Sequence, residues 1–228
     1  MLIESFPAGI WQTNCYVVAS QRNAECIIID PGFNCAVQVA EIVWNNNLKP
    51  VATLLTHGHL DHMWSVVPVA EGYDIPAYIH ASDKYLLADP LAGISAETVA
   101  MLSESLLGVS FVEPSEVIEF NSRTKISIAG IDIDLVPAPG HTAGSTIFQM
   151  GDDSQTVFTG DVLFAGAIGR TDLPGGSPEQ MNETLKSVIL PLPDASRVLP
   201  GHGAESTMEI ERVNNPFLRR VAQGLSAV

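Results

Sequence analysis

Apolar residues fall along the first half of the chain in short blocks of strand length, at about 14–19, 26–30, 51–56 and 77–80. Between the second and third blocks, "CAVQVAEIVWNNN" (35–47) spaces its apolar positions three and four apart, the period of a helix with one buried side. Asp30-Pro31-Gly32 follows the second block as a turn after a buried strand. "MWSVVPVAEG" (63–72) starts a further helix. Strand, helix, strand in this order predicts a layered α/β fold.

The texture changes over about 82–114. "SDKYLLADPLAGISAETVAMLSESLLG" reads as helix broken by Pro90 and Gly93. It predicts a helical insertion or lid within a single domain spanning 1–228. Alternating strands return in "EVIEF", "KISI" and "IDIDLVPAP", and continue in "STIFQM" and "TVFTGDVLF". "SPEQMNETLKSVIL" (177–190) predicts a helix with Ser177 as N-cap and Pro178 at its first position. "RVLP" is a last short strand, and helix returns near 206–213. There is no fixed-period repeat.

Composition narrows the classes. No apolar run approaches the roughly 18 residues of a membrane helix. The N-terminus has no basic region followed by a continuous apolar one, so no signal peptide is expected. These features predict a soluble, cytoplasmic protein with no membrane partner. The formal charge is −15, from 11 Lys+Arg against 26 Asp+Glu. Such a chain lacks the basic surface that nucleic acid requires. The three cysteines, Cys15, Cys26 and Cys35, form no CxxC pair, which fits a reducing compartment. Cys15 and Cys26 sit in apolar runs and read as small buried hydrophobes.

The chain has six histidines, and three of them stand in "HGHLDH" (57–62) with Asp61. The motif lies where a strand gives way to a helix, a common place for sites in α/β sheets. His141 in "PAPGHTAGS" and His202 in "VLPGHGAES" also follow strands and are flanked by glycine, and Asp161 ends a strand in "TVFTGDVLF". A single loop histidine is commonly a hydrogen-bonded structural residue, and an aspartate before an apolar run is commonly a cap. Five of six histidines in such settings point instead to a metal. Imidazole and carboxylate suit zinc, iron or manganese. His80, in "AYIHASD", is left as structural.

H-x-H-x-D-H, then Gly-His, T-G-D and a second Gly-His, is similar to the order found in metallo-β-lactamase-fold hydrolases, and the resemblance runs from "NCYVV" to "LPGHG". It implies a four-layered αββα sandwich. It implies that His57, His59 and His141 hold one divalent metal, that Asp61, His62 and His202 hold a second, and that Asp161 bridges them. Zinc is expected first, with iron or manganese as alternatives. Asp61 and Asp161 are the candidate catalytic carboxylates, and Asp30 takes a supporting place beside the site. The lactamases of the family carry cysteine where Asp161 stands, which argues against β-lactam hydrolysis. A water shared by two metals has its pKa lowered to about 7 and can attack a carbonyl.

"TGDVLFAGAIGRTDLPGG" with a late "NPFL" resembles the short glyoxalase II group, which implies cleavage of S-acyl thioesters such as S-lactoylglutathione. Arg170 is the candidate substrate-binding residue for a carboxylate on that substrate; pairing with Asp172 is its structural alternative. The chain ends soon after "NNPFLRR", so the helical domain that grips glutathione in longer relatives is missing or minimal, and another small thiol can be the carrier. A one-iron persulfide dioxygenase, a lactonase and a non-catalytic binding module are the alternatives. The insertion serves equally as a lid or as a homodimer face.

Overall fold

A computed structural model describes residues 1–102, 109–151 and 156–227. Strands β1 (Leu2–Ala8), β2 (Thr13–Ala19), β3 (Glu25–Ile29), β4 (Lys49–Leu54), β5 (Ala77–His80) and β6 (Val117–Phe120) form one sheet in that order. β1 to β3 pair antiparallel, and β3 to β6 run parallel. The connections carry helices α1 (Ala36–Asn45), α2 (Leu60–Met63), α3 (Val66–Tyr73) and α4 (Ala96–Leu102). Parallel strands need such crossovers.

The second sheet uses β7 (Thr124–Ile128), β8 (Ile131–Pro137), β9 (Thr146–Met150) and β10 (Thr156–Gly160). A two-stranded hairpin, β11 (Leu163–Phe164) and β12 (Ala167–Ile168), follows it. Next come α5 (Pro178–Thr184), continued by a π turn over Leu185–Ile189, then β13 (Arg197–Pro200) and β14 (Ser206–Thr207). Helices α6 (Met208–Asn214) and α7 (Pro216–Ala222) end the order. The sheet order is β14-β13-β10-β9-β8-β7.

Period-two alternation explains the layers. In β2 and β3, Tyr16, Val18, Ile27 and Ile29 face the other sheet, where they meet Ile133, Leu135, Phe148 and Phe158. Their neighbours Cys15, Val17, Cys26 and Ile28 face the opposite way and pack against Val39 and Val43 of α1 and Val69 of α3. The outer face of the second sheet does the same, with Ile147, Val157 and Val198 against Met181, Leu185, Leu218 and Val221. Helix, sheet, sheet, helix is the predicted αββα sandwich. Cys15, Cys26 and Cys35 are all buried and free.

Several local expectations change. β1 was not expected; its half-exposed residues and Pro7 fit an edge strand, where periodicity is weak and proline is tolerated. "TVFTGDVLF" is not one strand. Gly160 takes φ +47°, and Val162 N–H turns back to the carbonyl of Thr159 at 3.1 Å, so the strand breaks at Asp161. The 82–114 segment holds 3-10 turns at Lys84–Leu87 and Pro90–Gly93 and then α4. Residues 103–108 of that expected insertion lie outside the described residues. Residues 109–114 are not helical; Pro114 restrains the residue before it to extended backbone. α7 is an additional helix, capped by Asn215 with Pro216 in its first turn. Among the described residues no helix is long and apolar enough to cross a membrane.

Candidate metal centre

The C-terminal ends of β3 and β4 in one sheet, and of β8, β10 and β13 in the other, open onto one edge of the sandwich. Thr146 N–H donates to the Thr56 carbonyl at 2.8 Å, and Asn14 N–H to the Gly201 carbonyl at 2.7 Å. The Tyr16 hydroxyl donates to the Pro200 carbonyl at 2.7 Å. These bonds hold the two sheets in register at that edge. The loops after the strands therefore meet there, and they carry the expected residues.

The structure brings all seven expected ligand residues together. Three groups of donor atoms each lie within 4.8 Å: His57, His59 and His141; His57, His62 and Asp161; Asp61, His62 and His202. His59 Nδ1 approaches His141 Nε2 to 2.8 Å, and His202 Nε2 lies 3.1 Å from Asp61 Oδ2. Asp161 stands between the two sides, its Oδ2 3.6 Å from both His141 Nε2 and His202 Nε2. His57 Nε2 and Asp161 Oδ1 are buried with no hydrogen-bond partner. Leaving such atoms bare is costly. Five imidazoles and two carboxylates converging on orphaned atoms fit divalent metal ions.

Hydrogen bonds behind the cluster fix which ring nitrogen faces it. Asp30, buried and at φ +49°, accepts from Thr56 N–H at 2.8 Å and from the Thr56 hydroxyl at 2.6 Å. Its Oδ2 also lies 2.9 Å from His62 Nδ1, which leaves His62 Nε2 toward the cluster. Because the Thr56 hydroxyl is committed to Asp30, the 3.1 Å contact between Thr56 Oγ1 and His57 Nδ1 is donated by the ring, freeing His57 Nε2. His141 Nδ1 donates to the main-chain carbonyl of Arg170 at 2.8 Å, freeing His141 Nε2. The Thr13 hydroxyl donates to Asp61 Oδ2 at 2.9 Å.

Electrostatics split the cluster. Burial, reinforced by neighbouring histidines, holds His57 well below its ordinary pKa and takes His59 down to about 3. Burial opposes charge on His62 as well, but Asp61, Asp161 and Asp30 outweigh it and push that pKa well up. Burial would raise Asp61 and Asp161, yet the charge of His62 keeps both below the usual carboxylate range. One side thus presents neutral imidazole, ready to bind a cation, and the other presents anionic oxygen beside a His62 that favours its proton, so a cation bound there must displace that proton.

The sequence reading missed one residue. Asp83, fully buried, accepts from Gly58 N–H at 3.0 Å, from Gly144 N–H at 2.7 Å and from the Thr142 hydroxyl at 2.6 Å. It ties the His57–His59 loop to the loop after His141. Two glycines serve close approach. A Cβ on Gly169 would lie 1.8 Å from the Asp161 carbonyl oxygen, and one on Gly201 would lie 2.2 Å from Asp161 Oδ1. His80 stands outside the three donor groups, its Nδ1 accepting from Ser82 N–H at 3.2 Å.

Arg170 is among the residues that line a cavity of about 420 Å³ opening over the cluster. Its guanidinium forms a two-pronged pair with Asp172, both bonds at 2.7 Å.

The chain matches the family described as Metallo-beta-lactamase superfamily over residues 8–202. It is 41% identical to an uncharacterized protein of Mycobacterium tuberculosis, over 99% of this chain and 100% of that one. It is 30% identical to the hydroxyacylglutathione hydrolase GloC of Haemophilus influenzae, over 96% of this chain and 98% of that protein. Among solved structures, the BLEG-1 B3 metallo-beta-lactamase superposes with a TM-score of 0.81 at 32% identity, covering 95% of this chain and 99% of that one. TTHA1623 in a di-iron-bound form superposes with a TM-score of 0.75 at 32% identity, covering 95% and 100%. With the αββα layers and the histidine–aspartate cluster in place, this chain belongs to the metallo-β-lactamase superfamily.

Proposed function

We propose that the protein is a binuclear metal-dependent hydrolase that cleaves S-acyl thioesters of a small thiol, S-lactoylglutathione or an analogue. One observation carries this reading. Two three-residue donor groups, His57/His59/His141 and Asp61/His62/His202, lie on either side of Asp161 at the floor of an open cavity. Two divalent ions bound there supply Lewis acidity and a lowered water pKa. Zinc is the first candidate, with iron and manganese accepted by the same donors.

The chain's own residues do the rest. Asp30, Thr56 and the Arg170 carbonyl hold His62, His57 and His141 in the tautomers that face the floor. Asp161 orients both donor groups. Asp61, fixed by the Thr13 hydroxyl, and Asp161 stay anionic and are the carboxylates that would accept a hydrogen bond from the attacking water and orient it. A thiolate leaves without a strong general acid, which suits a cavity whose lining carboxylates and imidazoles all belong to the cluster. The 30% identity to GloC supports the thioester branch.

The test is metal counting on anaerobically purified protein, paired with assays of S-lactoylglutathione hydrolysis, β-lactam hydrolysis and oxygen uptake on glutathione persulfide. About two metals per chain with thioester cleavage is the expected result. One iron with oxygen uptake, or cleavage of the β-lactam alone, would replace this reading.

A further inference from the structure

We infer that the site prefers an uncharged thioester with an apolar group beside the scissile bond over the ester of an anionic thiol. This rests on the hydrolase reading of the same site and chooses among its substrates. Above the metal donors the cavity wall is apolar, built by Trp11, Leu60, Ile94, Leu102, Phe164 and Leu173. Trp11 is itself backed by Phe33 and Trp64, at ring-centroid distances of 5.2 and 6.2 Å. An apolar wall rewards methylenes, and each one seated is worth roughly fourfold in binding.

Charge argues the same way. A glutathione ester carries carboxylates that need cations. Of the 11 Lys and Arg residues, Arg170 is the one that lines the cavity. Its guanidinium is already engaged in a two-pronged bond to Asp172, which a substrate carboxylate would have to displace or share. Lys84, at the start of the neighbouring 3-10 turn, is held by Glu119 and Glu113 at 2.9 and 3.8 Å. A chain of net charge −15 further disfavours a thiol that carries net negative charge.

The experiment uses metal-loaded protein and a two-way panel: acetyl to octanoyl thioesters of N-acetylcysteamine, which is neutral, and the same acyl groups on glutathione, with S-lactoylglutathione as reference. Expected is a kcat/KM that climbs with chain length, and at matched acyl group a preference for the neutral thiol of about tenfold or more. Ile94→Ala should flatten the climb, and Asp172→Asn, by releasing Arg170, should shift the preference toward the glutathione esters. Cleavage of S-lactoylglutathione with no gain from chain length and no preference for the neutral thiol overturns the inference and leaves the hydrolase reading standing. No cleavage of any panel member by protein carrying two metals overturns both.

Discussion

Asp83 lies outside the three donor groups, yet its carboxylate gathers two main-chain N–H groups and one hydroxyl from both histidine loops. Asp83→Asn keeps the shape but turns an acceptor into a donor facing Gly58 N–H and the Thr142 hydroxyl. We expect metal affinity to fall by about 10- to 100-fold, as for other groups that orient ligands from behind, measured by competition with a chelating dye. Unchanged affinity would reduce Asp83 to a packing residue. The seven positions of the cluster could be read from sequence because His and Asp carry their chemistry in their names and gather at strand ends. Asp83 could not, since its partners are 25 to 61 residues away. Arg170 also has a role that its residue type does not announce. A cation draws attention to its side chain, whereas its carbonyl is what orients His141. Main-chain atoms leave no residue-type signal, and the one trace is Gly169, which has no room for a Cβ. Gly169→Ala should therefore displace the Arg170 carbonyl and cost most of the activity while the far-ultraviolet circular dichroism stays native; full activity would refute the close packing.

At the scale of elements, the strands of the two sheets were legible where alternation was clean, as in β2, β3 and β8. They were not where a glycine in the left-handed region cut an apolar run, as at Gly160 before Asp161. The last helices show how remote elements shape the site. Asn215 caps α7 by accepting from the N–H groups of Phe217 and Leu218, and its amide donates to the Ala167 carbonyl at 3.0 Å and to Glu211 at 2.9 Å. Glu211 in turn accepts from Gly166 N–H at 2.8 Å. The "NP" of "NNPFL" is thus a helix start that also anchors the β11–β12 hairpin, which leads directly to Gly169 and Arg170. Asn215→Ala removes a cap and leaves buried groups unpaired, and should lower stability by about 2 kcal/mol in denaturant unfolding. Activity measured well below the transition should fall as well, because the hairpin that sets His141 loses its anchor. A loss of stability with no loss of activity would confine Asn215 to the cap.

At the scale of the whole molecule, the donor groups join two sheets that otherwise meet through an apolar core and a few hydrogen bonds at the same edge. His57, His59, Asp61 and His62 follow β4 of the first sheet, whereas His141, Asp161 and His202 follow β8, β10 and β13 of the second. Ions held by both sets would clamp the sandwich at its open edge, and a ligand that binds only the folded state stabilises it by mass action. At a hundredfold excess over Kd that amounts to about 2.7 kcal/mol for one site. For a chain of this length such a change moves the unfolding midpoint by roughly 5 to 10 °C. Exhaustive chelation should therefore lower the midpoint by that order, and readdition of zinc should restore it. His57→Ala, which removes a residue shared by two of the three groups, should unfold near the chelated midpoint and respond little to zinc. His80→Ala, at the end of β5 and outside the groups, should keep the full zinc response from whatever midpoint it has. A wild-type midpoint indifferent to both chelator and zinc would mean that the cluster does not clamp the two sheets, and the binuclear reading would fall with it.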